Sequence, residues 1–235
     1  MDPIHISYRF NLANAKSKEE VFDILLDPES LEIINPASGE PPSWTALEFH
    51  QCSHCPFTSD SHPHCPLAVT LVQVIGRFNN VLSHNRIELT VITAERKVFQ
   101  ETTAQKGISS LVGLLFAASG CPHTAYFKPM ARYHLPLASE DETYYRAVGM
   151  YLLAQYLRHR EGKQGDLELD GLKKIYKNLH LLNTMTAERI RSATSADSSV
   201  NAVVLLDMIT HMMPFLLEEQ LDKIRHLFSS YLQEP

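Results

Sequence analysis

Three cysteines fall within fourteen residues, Cys52, Cys55 and Cys65, among His50, His54, His62 and His64. Thiolates are ligands that soft and borderline metals prefer. A two-residue spacer lets one tight turn point two thiolates at the same ion, which is why Cys-x-x-Cys recurs in metal sites. Cys121 is the fourth and last cysteine, and it completes a four-sulfur set. His50, His54, His62, His64 and His123 are the alternatives for a site of three cysteines and one histidine.

Zinc is the default ion for such a set. The pattern is not a zinc ribbon, because a second Cys-x-x-Cys pair is missing and Pro56 stands where a ribbon usually has glycine. Cys55, Cys65 and Cys121 each precede proline, and a Cys-Pro step also occurs in iron–sulfur ligand runs, so an iron–sulfur cluster is the alternative. The bland reading is four buried or incidental thiols. A free nucleophile at Cys121 is disfavoured, because the residue follows a helix C-terminus whose negative dipole end opposes a thiolate.

Lys128, Arg132 and His134 share an irregular loop and are candidates for binding an anion or another ligand; a solvated loop of paired charges is the simpler reading. Met208, Met212 and Met213 beside His211 read as core filling. Glu218 and Glu219 suit the start of a helix. The chain has no phosphate-cradling glycine loop, nucleophile elbow or His-Glu-x-x-His pattern. Whether it is an enzyme is therefore open at this level.

These residues must be held by a scaffold. The 235 residues suit one large domain or two small ones, with 44% apolar side chains to build a core. Ile4 to Leu12 alternates as a strand, and Phe22, Ile24 and Leu26 continue the pattern. Asp27 to Ser30 is turn chemistry, with Leu31 to Ile34 expected as a returning arm. Trp44 to Phe49 is expected as an imperfect strand. A helix is expected over 67–83, strands around Ile87–Val91 and Val98–Phe99, and a helix over 105–119 stopped by Gly120.

Cys121 to Pro136 reads as irregular. Ser139 and Glu142 then form a capping box, and the helix behind it runs to about Arg160. A second helix spans Leu172 to Ile190, a third starts at Asp197 or Ser198, and Pro214 is expected to open a fourth. The fold class expected is α+β. It has a mainly antiparallel sheet with two helices and a Cys-rich metal loop over 1–137, then a four-helix half over 138–235 packed with it as one unit.

A net charge of −6 with scattered Lys and Arg argues against nucleic acid and against an anionic membrane surface. Val203 to Leu217 is apolar but broken by Asp207, His211 and Pro214, and is read as too short to span a bilayer. With no export signal the chain is expected in the cytoplasm, where the cysteines are not a disulfide framework. Oligomeric state is left open.

The run from Glu48 through Cys52 to Leu67, with Ser119 to Thr124 and Lys128 to Arg132, resembles an uncharacterised bacterial family, a domain of unknown function. The resemblance extends over most of the chain and implies a bacterial cytoplasmic origin without a reaction. The expectation is a non-enzymatic binding or regulatory protein with a structural zinc, acting on an unknown protein or small-molecule partner. An iron–sulfur redox or sensor protein, or a metalloenzyme with an open zinc position, is the alternative.

Overall fold

A computed structural model describes residues 2–12, 19–35 and 39–233. Strand β1 (Ile4–Leu12) pairs antiparallel with β2 (Glu19–Leu26) and, on its other edge, with β3 (Arg86–Ile92), which pairs with β4 (Lys97–Thr103). The sheet order is β2-β1-β3-β4.

Alternation puts Ile6, Tyr8 and Phe10 of β1, Phe22, Ile24 and Leu26 of β2, and Ile87, Leu89 and Val91 of β3 in the core, while His5, Arg9 and Glu88 face solvent. The register keeps these faces together: Tyr8 stands opposite Phe22 on one side and Val91 on the other.

Helices α1 (Pro66–Arg77) and α2 (Ala104–Ala117) build the layer over the sheet. Phe78, just past α1, meets Phe10 edge-on at 4.9 Å between ring centres and stacks on Phe22 at 5.6 Å. Burial of each such ring contributes roughly 2–3 kcal/mol. The short α3 (Lys128–Arg132) follows. Three long helices come next: α4 (Glu140–Arg160), α5 (Asp170–Ala193) and α6 (Asp197–Ile224). A 3-10 turn (Arg225–Phe228) and α7 (Ser229–Leu232) end the described chain. One core includes buried residues of the sheet, α1, α2 and the long helices. Helix α6 packs on α2 and α5, and α5 reaches α1 and the 3-10 turn Ser43–Thr45.

The capping box at α4 forms as its sequence predicts. Glu142 N–H donates to Ser139 Oγ at 3.2 Å, and Ser139 N–H donates to Glu142 Oε2 at 2.7 Å. Gly120 stops α2's path with φ of +82°, a left-handed geometry that suits glycine.

Several local expectations fail for physical reasons. Leu31 to Ile34 does return antiparallel along the end of β2, with Asp27 N–H on the Glu32 carbonyl, Ile34 N–H on the Leu25 carbonyl and a bridge from Leu26 to Ile33, but it forms no regular strand: Leu31 turns to φ +57° and Ile33 N–H goes to the Ala118 carbonyl. Trp44 starts no strand, because Pro41 and Pro42 precede it and Thr45 folds back on the Pro42 carbonyl at 2.7 Å. The first helix ends at Arg77, before Asn79 and Asn80.

The four-helix C-terminal half also needs correcting. Pro214 opens no new helix but lies inside a continuous α6. Met213 and Leu217, both buried beside it, hold the helix in the core, so packing outweighs the backbone bond that proline removes. The reading of this region as too short to cross a bilayer changes as well. Asp197–Leu232 is the one stretch among the described residues long and apolar enough to do so by length and composition; in this fold Ala202, Val203 and Met213 on it sit in the core.

Candidate metal centre

The four cysteines, drawn from three separate segments, line one small cavity together with His123 and Arg189. Each segment arrives by a different local device. The Cys52–Cys55 turn is closed by Cys55 N–H donating to the Cys52 carbonyl at 3.0 Å. Gln51 steadies it by donating to the Phe57 carbonyl at 3.0 Å.

Cys65 is the N-cap of α1, with Pro66 at the first helical position. Its own N–H bonds the Thr45 carbonyl at 2.8 Å. The positive end of a helix dipole favours a thiolate there. Cys121 follows Gly120 and opens a fresh turn, its carbonyl accepting from Thr124 and Ala125 N–H at 3.1 Å. The backbone N–H groups of His123 and Thr124 also favour its thiolate. The neighbourhood of Cys121 is thus that of a turn start rather than the end of α2, which softens the dipole argument against its ionisation.

Burial dominates the acidity of the set. It pushes the Cys52 thiol up to about 12, with the neighbouring sulfurs of Cys65, Cys121 and Cys55 adding to the shift and Arg189 opposing it. It pushes Cys121 up to about 11 despite the two amides. Without a cation both are neutral thiols at physiological pH, unlike the depressed thiolates of cysteine nucleophiles. The cavity measures about 20 Å³, room for one water-sized body. Among the described residues no group of three or more His, Cys, Asp or Glu side chains is placed to hold a metal ion.

Arg189 is the residue that the sequence reading passed over. It is 3% exposed on α5, yet it forms no ion pair with a carboxylate among the described residues. Its guanidinium donates to the carbonyls of Trp44 (3.0 Å), Ala46 (2.7 Å) and Leu47 (2.8 Å). Cys65, Cys52 and Cys55 lie close enough to favour its charged form against burial. The helical spacing Leu182, Thr186, Arg189 carried a signal: all three line the cavity, so an arginine sits on an inward face of α5.

The histidines divide. His123 lines the cavity, while its Nε2 lies 2.9 Å from the His54 carbonyl. The His54 ring lies 4.0 Å from that of His123, and neither of its ring nitrogens makes a well-formed hydrogen bond. His64 bonds Thr45 Oγ1 at 2.8 Å, His62 stacks on Phe57 at 3.7 Å, and His50 stands edge-on to Phe49. Lys128, Arg132 and His134 have separate partners. Lys128 pairs with Glu32 at 2.8 Å, Arg132 lies 3.9 Å from Glu95, and the His134 ring pairs with the Tyr8 hydroxyl.

Comparison with known proteins adds a family. The model of the domain of unknown function DUF6901 matches residues 6–229. No curated protein and no solved structure matches the chain.

Proposed function

Since the chain belongs to this family, whose description assigns no reaction, we propose from the site alone that Cys52, Cys55, Cys65 and Cys121 hold one structural zinc ion in a non-enzymatic binding or regulatory protein. The convergence of every cysteine in the chain on one small cavity is the observation that carries this reading. Four sulfurs satisfy a tetrahedral ion and leave no open position for a substrate. The buried Arg189 supports it independently. A four-thiolate zinc carries an excess of negative charge, and a guanidinium without a carboxylate partner supplies the compensating cation. The reading requires the thiols to close in by rotation about χ1, the single torsion of a cysteine.

The role follows from the connectivity. The ion would tie the 52–65 loop, the start of α1 and the turn after α2 to one another, beside α5. Its binding energy would then be folding energy.

The test is elemental analysis and a visible spectrum on protein purified without oxygen, beside Cys65→Ser and Cys121→Ser variants. Colourless protein with about one zinc per chain, lost in both variants, is the expected result. Iron with acid-labile sulfide sinks the zinc reading in favour of a redox centre. Zinc retained in Cys121→Ser makes the site three-cysteine, with His123 or an open position as its fourth place. Absence of any metal removes the proposal.

A further inference from the structure

A second cavity, of about 460 Å³, has no cysteine in its lining and is walled by β4, α2, α3, α4, α5 and α6, with Thr124 of the Cys121 turn at its border. It is a cleft open to solvent on one side, and its volume falls in the range of small-molecule sites. Its wall is mainly apolar, with Leu114, Met130, Leu179, Leu206 and Ile209 among its lining.

Three polar groups on that wall are under-used, one of them the buried Asn183 Oδ1, an acceptor without a partner among the described residues. Tyr176 is almost wholly buried, and its hydroxyl has no hydrogen-bond partner among the described residues. Arg146 is half-buried and makes no ion pair. One of its nitrogens donates to the Tyr133 carbonyl at 2.9 Å and to the Met130 carbonyl at 3.3 Å. Glu142, one turn earlier on α4, bonds the Ser139 N–H, and its charge favours that of Arg146 without a direct ion pair. Arg146 and Tyr176 are near enough for each to sense the other's charge. Lys106 and Glu140, both exposed, also border the cavity, so its charged lining is net positive by one.

We propose that this cavity binds an amphipathic monocarboxylate, with its acid group on Arg146 and the Tyr176 hydroxyl and its apolar body along Leu179, Leu206 and Ile209. A guanidinium and a hydroxyl donate to a carboxylate in complementary geometry, and a half-desolvated arginine gains more from an anion than an exposed one does. His134 lies at the polar end as a neutral ring held by Tyr8, so the positive charge there is that of Arg146. The site is independent of the cysteine centre and stands whether or not that centre holds a metal.

The experiment is isothermal titration of the full chain with sodium decanoate and, separately, decan-1-ol. The variants are Arg146→Gln, Arg146→Lys, Tyr176→Phe and Ile209→Trp. The expected result is saturable one-to-one decanoate binding, about tenfold or more weaker in Arg146→Gln and largely restored in Arg146→Lys. Tyr176→Phe weakens it severalfold. That variant removes a hydroxyl with no internal partner, so it leaves the fold unaltered and keeps the test valid if Arg146→Gln unfolds. Ile209→Trp fills the chain-binding end and abolishes binding at an unchanged melting temperature. No decanoate binding to the unsubstituted chain overturns the proposal. So does equal affinity for decan-1-ol, or decanoate binding indifferent to both the Arg146 and Tyr176 substitutions.

Discussion

Arg189 Nη2 donates to the backbone carbonyl of Leu47 across 2.8 Å, joining α5 to the segment that leads into the cysteine loop. With the bonds to Trp44 and Ala46, one side chain satisfies three carbonyls that have turned away from regular secondary structure. The same guanidinium borders the thiols. Scaffold and candidate centre therefore share a single positive charge.

Arg189→Met should cost roughly 3 kcal/mol, because it keeps much of the volume but leaves the Trp44 and Leu47 carbonyls without a donor and the Ala46 carbonyl with only the Phe49 N–H. Urea unfolding followed by circular dichroism measures it. In the holo protein the loss should exceed that in chelator-treated protein, since the thiolates also lose their counter-charge. Equal losses in both states would detach Arg189 from the metal reading.

Gly107, on the face of α2 that meets the sheet, has no room for a side chain. An added Cβ would lie 2.7 Å from Ile87 Cδ1 and 3.1 Å from Phe10 Cε1. Gly107→Ala should destabilise by roughly 1–3 kcal/mol from overpacking, partly offset by alanine's helix propensity of about 1 kcal/mol. A melting temperature equal to or above that of the unsubstituted chain would show that Ile87 repacks freely.

His134 gives the fold a mild acid sensitivity. Burial, and then the charge of Arg146, push it down to about 3. An unfolded histidine titrates near 6.5, so between these values the unfolded chain binds the extra proton. The contribution of His134 is complete above about pH 6.5 and falls away as the pH drops toward 3. From pH 7 to pH 5 the loss should be on the order of 1–2 kcal/mol. His134→Gln should flatten that slope in urea titrations at the two pH values. An unchanged slope would place the sensitivity elsewhere.

Pro214→Ala should stabilise α6 by roughly 1–2 kcal/mol, by restoring an N–H to the Thr210 carbonyl against some gain in unfolded-state entropy. Urea unfolding reads it directly. Destabilisation instead would mean that Met213 and Leu217 need the local geometry that proline imposes.

Short-range chemistry was legible from the sequence. The alternation of β1, the capping box at Ser139, the stop at Gly120 and the tight Cys52–Cys55 turn each depend on residues within one or two turns of chain. So did the α+β class, because periodicity separates strands from helices locally. Tertiary structure alone decided what depends on long-range burial. It tied the returning Ile33 to Ala118 beyond its short pairing with β2, and it kept α6 continuous through Pro214 because core contacts on both sides outweigh one missing hydrogen bond. It also brought Cys121 and Arg189 to the Cys52–Cys65 loop, and it left Arg146 and Tyr176 on an open cavity bordered by β4 and five helices. Spacing along a chain reports which residues share a face; which faces meet is settled by packing the whole core.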